Sequence, residues 1–241
     1  SRGLGDVYKR QPINLVKGQN HVLNMNIFHV GLGWDVNEGA SPYPFDLDVS
    51  AFMIGANKKI LNDDFLVYYN SEHRVLPSNL TRFEPFSASK YPPYTDTQGC
   101  YHSADMHWKE ETRPISPEFS VIGSIDDQDG STSEDGDDEI MDIDLSKVSN
   151  DIQEIVITVS IYDYQNRKQN FGQVERAYVR LYKQGQETEG QEDFRYDLNE
   201  DFSICASIEF CRLYRYKGEW KIQATGIGHH GGLEELVEKY R

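Results

Sequence analysis

From Ile13 onward, apolar residues return at every second position in one run after another, and this alternation limits the fold more than any other feature. Phe45, Leu47, Val49 and Ala51 alternate with Asp46, Asp48 and Ser50. Ile155, Ile157, Val159 and Ile161 alternate with Val156, Thr158 and Ser160. The same holds for Ala177, Val179 and Leu181 against Arg176, Tyr178 and Arg180, and for Trp220, Ile222 and Ala224 against Lys221 and Gln223. Successive strand side chains point to opposite faces, so each run buries one face and wets the other. Turn residues such as Lys217-Gly218-Glu219 separate the runs. The expectation is a mainly all-β chain, two antiparallel sheets packed as a β-sandwich. Two short helices are expected: one turn from Asn150 to Glu154, and a C-terminal helix lined by Leu233, Leu236, Val237 and Tyr240.

Residues 1–11 do not fit this pattern. Asp6-Val7-Tyr8-Lys9-Arg10-Gln11 resembles a translated transposase adaptor, so the segment is set aside as non-native. The 241 residues suit one large β domain or two small ones, either able to bury its own core, and residues 12–241 are read as one β-sandwich domain. Within them, residues 71–124 carry Pro77, Pro85, Pro92, Pro93, Pro114 and Pro117 and no sustained period. That predicts a long insertion loop wrapped on the surface. No run of about 18 apolar residues exists, so no transmembrane segment is expected. Cys100, Cys205 and Cys211 form no CxxC and read as reduced thiols of a cytoplasmic protein.

Charge narrows the partners. Lys and Arg number 24 against 40 Asp and Glu, a formal charge of −16. Nucleic-acid backbones and anionic lipid are repelled unless a cation intervenes, so no nucleic-acid partner is expected. The acids concentrate between Asp126 and Glu139, where Asp126, Asp127, Asp129, Glu134, Asp135, Asp137, Asp138 and Glu139 stand among glycines and small hydroxyl residues. A solvated loop is the common fate of an isolated acidic run. A second group changes the balance. Asp46 and Asp48 project from one strand face roughly 7 Å apart, and Asp35 follows Gly31-Leu32-Gly33-Trp34. Calcium takes six to eight oxygens from carboxylates, carbonyls and water, in flexible geometry. The acidic segment holds no Cys or His, which disfavours zinc or copper there. Elsewhere Cys100, His102 and His107 offer soft donors, but with no fourth ligand nearby they read as incidental surface residues.

Several motifs in order resemble the TerD-like family of tellurium-resistance and stress proteins. They are Gly31-Leu32-Gly33-Trp34-Asp35, Phe45-Asp46-Leu47-Asp48 and Phe65 to Asn70. Gly136-Asp137-Asp138-Glu139 then resembles the central acidic motif, and Gln169-Asn170-Phe171-Gly172-Gln173-Val174 the family's RGQNFGQV signature, with Lys168 where Gly is usual. Gly218-Glu219-Trp220-Lys221 and Gly231-Gly232-Leu233 complete the series. The resemblance implies a calcium-binding β-sandwich, non-enzymatic, acting in bacterial tellurite and stress resistance. It implies one or two Ca2+ ions on Asp46, Asp48, Asp137, Asp138 and Glu139. Asp126, Asp127 and Asp129 align with a shorter acidic loop of the family, and Asp35 is an added candidate. Other stress-resistance proteins are the implied partners. Calcium-bridged binding at a membrane surface is an alternative by analogy, and a metal-dependent hydrolase is another.

Overall fold

The computed structural model describes residues 11–36, 39, 41–125 and 136–241. In chain order its strands begin with β1 (Ile13–Asn14), β2 (Asn20–Val22), β3 (Ile27–Val36), β4 (Leu47–Gly55) and β5 (Leu66–Val67). Next come β6 (Arg74–Leu76), β7 (Asn79–Phe83), β8 (Tyr94–Thr95) and β9 (Tyr101–His102), then helix α1 (Ala104–Glu111), β10 (Arg113–Pro114) and β11 (Val121–Ile122). The remainder carries β12 (Glu139–Asp144), β13 (Ile152–Ile161), helix α2 (Tyr164–Arg167), β14 (Val174–Tyr182) and β15 (Phe194–Asp197). It ends with β16 (Ser207–Tyr216), β17 (Glu219–His229) and helix α3 (Leu233–Tyr240).

Two six-stranded sheets build the sandwich, in the orders β1-β15-β14-β3-β12-β11 and β2-β17-β16-β13-β4-β5. Pairing is antiparallel except between β1 and β15. Alternating apolar side chains join them, in β4, β13 and β14 as expected and in β3 and β12 as well. Val30 and Leu32 of β3, Met141 and Ile143 of β12, and Val179 and Leu181 of β14 share one buried cluster with Leu47, Val49 and Ala51 of β4 and Ile155, Ile157 and Val159 of β13. At about 25 cal/mol per Å² of apolar surface removed from water, this cluster is the main source of stability.

In β4 and β13 the outer face is buried as well. Phe52 and Ile54 of β4 and Val156 of β13 pack under Leu236 and Tyr240 of α3. The helix is held at its end by buried Glu209, which accepts hydrogen bonds from His229 Nε2 at 2.6 Å and Tyr240 Oη at 2.8 Å and pairs with Lys239.

Two local expectations need correction. Residues 71–124 are not a bare loop. They hold a three-stranded sheet (β10-β6-β7), the β8–β9 hairpin and α1. These strands run two to five residues, too short to show a period, and α1 buries only Trp108. Fully buried Arg74 ties the two ends of the excursion together. Its guanidinium donates to Tyr69 O at 2.8 Å, Thr112 Oγ1 at 2.7 Å and Thr112 O at 2.7 Å. The helical turn expected from Asn150 to Glu154 is instead a tight turn leading into β13, where Glu154 is drawn in by Arg212. A one-turn helix lies later, at α2, between left-handed Asp163 and Lys168.

Candidate metal centre

The two glycines of the Gly31-Leu32-Gly33 run make room for polar side chains on the outer face of β3. A side chain at Gly31 would place its Cβ 1.9 Å from Asp137 Oδ2, and one at Gly33 would strike the Tyr178 ring at 2.4 Å. Asp137 fills the space above Gly31 with a side chain 1% exposed. There it takes a two-pronged salt bridge from Arg180, Nε to Oδ1 at 2.7 Å and Nη2 to Oδ2 at 2.9 Å. Tyr178 Oη donates to Oδ1 at 3.1 Å. Burial, then the Asp137 charge, pushes the Tyr178 phenol well above its ordinary pKa. Both Asp137 oxygens thus face donors on β14, and the residue acts as a brace for the start of β12.

Two residues further on, the chain turns Glu139 inward. Glu139 opens β12 in one sheet, and Asp48 lies in β4 of the other, paired with Ser160. Both are buried, and they border one void of ≈ 10 Å³ together with Tyr69, Ser124, Gly123, Val49, Pro114 and Met141. That volume accommodates about one atom of water-oxygen size. Ser124 Oγ donates to Glu139 Oε2. Burial, reinforced by the Asp48 charge, drives the Tyr69 phenol above its ordinary pKa. Asp48 and Tyr69 also border an open cleft of ≈ 490 Å³ lined by Ser160, Tyr162, Asp163, Glu234 and Glu235.

The other sequence candidates are dispersed. Asp138 Oδ2 accepts the Trp34 backbone N–H at 2.8 Å, tying the acidic turn to β3. Asp35, lower on β3, is paired with exposed Arg176. Asp46 is buried with Oδ2 3.8 Å from Arg167 of α2. Asp126, Asp127 and Asp129 lie outside the described residues. The Gln169-Asn170-Phe171-Gly172-Gln173 run holds the approach to Asp46. Gln169 Nε2 donates to Ser41 Oγ, Tyr43 O and Pro44 O, each at 3.1 Å. Asn170 and Gln173 cap the short 3-10 turn at Phe171 reciprocally.

Sequence reasoning passed over Tyr69, Ser124 and Arg180. Tyr69 stood in the FLVYYN run without an assigned role, and Ser124 marked only the end of the proline-rich stretch. Arg180 was visible as the polar partner in its strand's alternation, but nothing in the sequence aimed it at Asp137. The polar residues that line the void are Asp48, Glu139, Tyr69 and Ser124, whose side chains carry oxygen donors. Such a donor set suits a hard cation of the calcium or magnesium kind and not zinc.

The sequence profile described as "TerD domain" matches residues 12–78 and 113–240. The tellurium resistance protein TerD of Serratia marcescens is 34% identical over 233 residues, 95% of this chain and 96% of that protein. General stress protein 16U of Bacillus subtilis is 32% identical over the same shares. A crystal structure described as a homologue of telluride resistance protein (TerD), from Streptomyces coelicolor, superposes with a TM-score of 0.57 at 15% identity. It covers 89% of this chain and 96% of that one.

Proposed function

The chain belongs to the TerD domain family of tellurium-resistance and stress-response proteins, and from that premise we propose that it is a calcium-binding, non-enzymatic interaction module. One observation carries the reading: Asp48 and Glu139, from opposite sheets, are buried on a single void whose other polar lining is Tyr69 and Ser124. Carboxylate and hydroxyl oxygens are the donors a calcium ion takes, and an ion held by Asp48 and Glu139 would link the two sheets.

Asp48 and Glu139 are the proposed central ligands, with the Tyr69 and Ser124 hydroxyls beside them. Asp46, Asp138, Asp126, Asp127 and Asp129 are the candidates for the rest of a six-to-eight-oxygen shell, for one or two ions. Asp137 is proposed as the brace that presents Glu139, and Asp35 as a surface ion-pair partner. Bound calcium would neutralise the acidic pole of a chain of net charge −16 and ready it to meet other stress-resistance proteins. A membrane surface reached through a bridging ion is the alternative partner.

The test is calcium titration into chelated protein, followed by melting temperature. A ligand at about 100 times its Kd stabilises by roughly 2.7 kcal/mol. The expected result is a rise with calcium, less with magnesium, lost in Asp48→Asn and Glu139→Gln and kept in Asp35→Asn. No shift at millimolar calcium would sink the proposal. Metal-dependent turnover of phosphoester or glycoside substrates, abolished by Asp48→Asn, would favour the hydrolase instead.

A further inference from the structure

The segment the family profile passes over, between residues 78 and 113, contains its own arrangement of donor atoms. At the β8–β9 hairpin one donor atom each from Asp96, Cys100 and His102 lie within 4.8 Å of one another. His107, the other soft donor in the segment, points elsewhere and donates from Nδ1 to Pro92 O at 2.8 Å. The structure therefore replaces His107 by Asp96, which the sequence did not suggest.

We propose that Asp96, Cys100 and His102 bind one zinc-like divalent ion, with solvent as the fourth ligand. The donor set of carboxylate oxygen, thiolate sulfur and imidazole nitrogen is what zinc or cobalt(II) takes and calcium does not. His102 Nε2 stands 3.4 Å from Asp96 Oδ2. Two ligands on a tetrahedral ion with bonds of about 2.1 Å are separated by about 3.4 Å. Cys100 is exposed, and its Sγ lies within 4.8 Å of the other two donor atoms.

The surroundings hold the donors in place as a metal site needs. His102 Nδ1–H donates to Glu110 Oε1 of α1 at 2.6 Å, which fixes Nε2 as the nitrogen turned toward Asp96. Glu110 is itself held by Tyr94 Oη, donating to Oε2 at 2.9 Å. The Tyr94 ring stacks on the imidazole, centroids 4.5 Å apart and 13° from parallel. A carboxylate on the far nitrogen of a ligating histidine orients the ring and raises its basicity. On the other side, Asp96 Oδ1 accepts the backbone N–H groups of Gln98 at 2.9 Å and Cys100 at 2.8 Å, so the loop fixes the carboxylate. Gly99, at φ 88°, lets the chain turn between the donors. The site shares no residue with the oxygen-lined void at Asp48 and Glu139, and the two proposals stand or fall separately.

The experiment is cobalt(II) titration of the reduced full chain, stripped of metal by chelator and followed by absorption. The expected result is one equivalent bound, with a thiolate-to-cobalt charge-transfer band and the visible bands of a four-coordinate ion. Zinc should displace the cobalt and calcium should not. Cys100→Ser should remove the charge-transfer band, with circular dichroism unchanged because the residue is exposed. Glu110→Gln should keep the band but weaken binding roughly ten- to hundred-fold. No thiolate band at one equivalent, a six-coordinate spectrum, or a band that survives Cys100→Ser would overturn the assignment.

Discussion

Asp137 and Glu139 are two positions apart, and the structure gives them opposite kinds of work. Asp137 is consumed by Arg180 and Tyr178, whereas Glu139 borders the void with Asp48. The account predicts different costs for them. Arg180→Met leaves the Asp137 charge buried without its guanidinium, which costs about 3–5 kcal/mol; Asp137→Asn costs less, because Arg180 keeps buried Glu192 at 3.9 Å, and the two changes together cost less than their sum. Urea midpoints of the single and double variants check this; additive losses would contradict a direct pair. Gly31→Ala should resemble Asp137→Asn, since its methyl group would occupy the carboxylate's place. The sequence made all these acids look alike. Their spacing showed that they cluster, but which one meets a guanidinium depends on β14 lying beside β3, and that is decided by pairing distant in sequence.

At the scale of elements, α3 and the excursion between β6 and β10 are the two attachments with a chemical catch. The hydrogen bond to Glu209 raises the His229 imidazole above its ordinary pKa, against the opposing effect of burial. For Glu209, burial acts upward, but hydrogen bonds from His229, Lys239 and Tyr240 outweigh it and hold the carboxylate below its ordinary value. The histidine's contribution is fully present below about pH 6.5 and fades as pH rises through the raised value. The glutamate's is present above about pH 4.3 and fades as pH falls through the lowered value. Hydrogen exchange of the α3 amides should therefore speed up as pH rises above about 6.5, beyond the intrinsic dependence. His229→Gln should flatten that profile; an unchanged profile would contradict the clasp. Arg74→Met should expose residues 79–112 to limited proteolysis while leaving the sandwich intact, because the buried guanidinium joins both ends of the excursion. The amphipathic spacing of α3 was legible from Leu233 to Tyr240. The excursion was not, because strands of two residues have no period to read.

Taken as a whole molecule, the sandwich follows from alternation in β4, β13, β14 and β17, and the apolar faces named there from sequence are those that meet in the core. The acidic pole is a consequence of the same topology. It brings the β4 strand of one sheet and the start of β12 in the other to a shared edge, so that carboxylates 91 positions apart, Asp48 and Glu139, border one space. Sequence alone placed two acidic motifs in one fold, and among the described residues Asp48 from the first and Glu139 from the second border the void. The central claim is that a divalent cation occupies the space between those two carboxylates. Anomalous diffraction from crystals grown with calcium tests it most directly. The account predicts an anomalous peak about 2.3–2.6 Å from oxygens of both Asp48 and Glu139; ordered water there with no anomalous signal would contradict it.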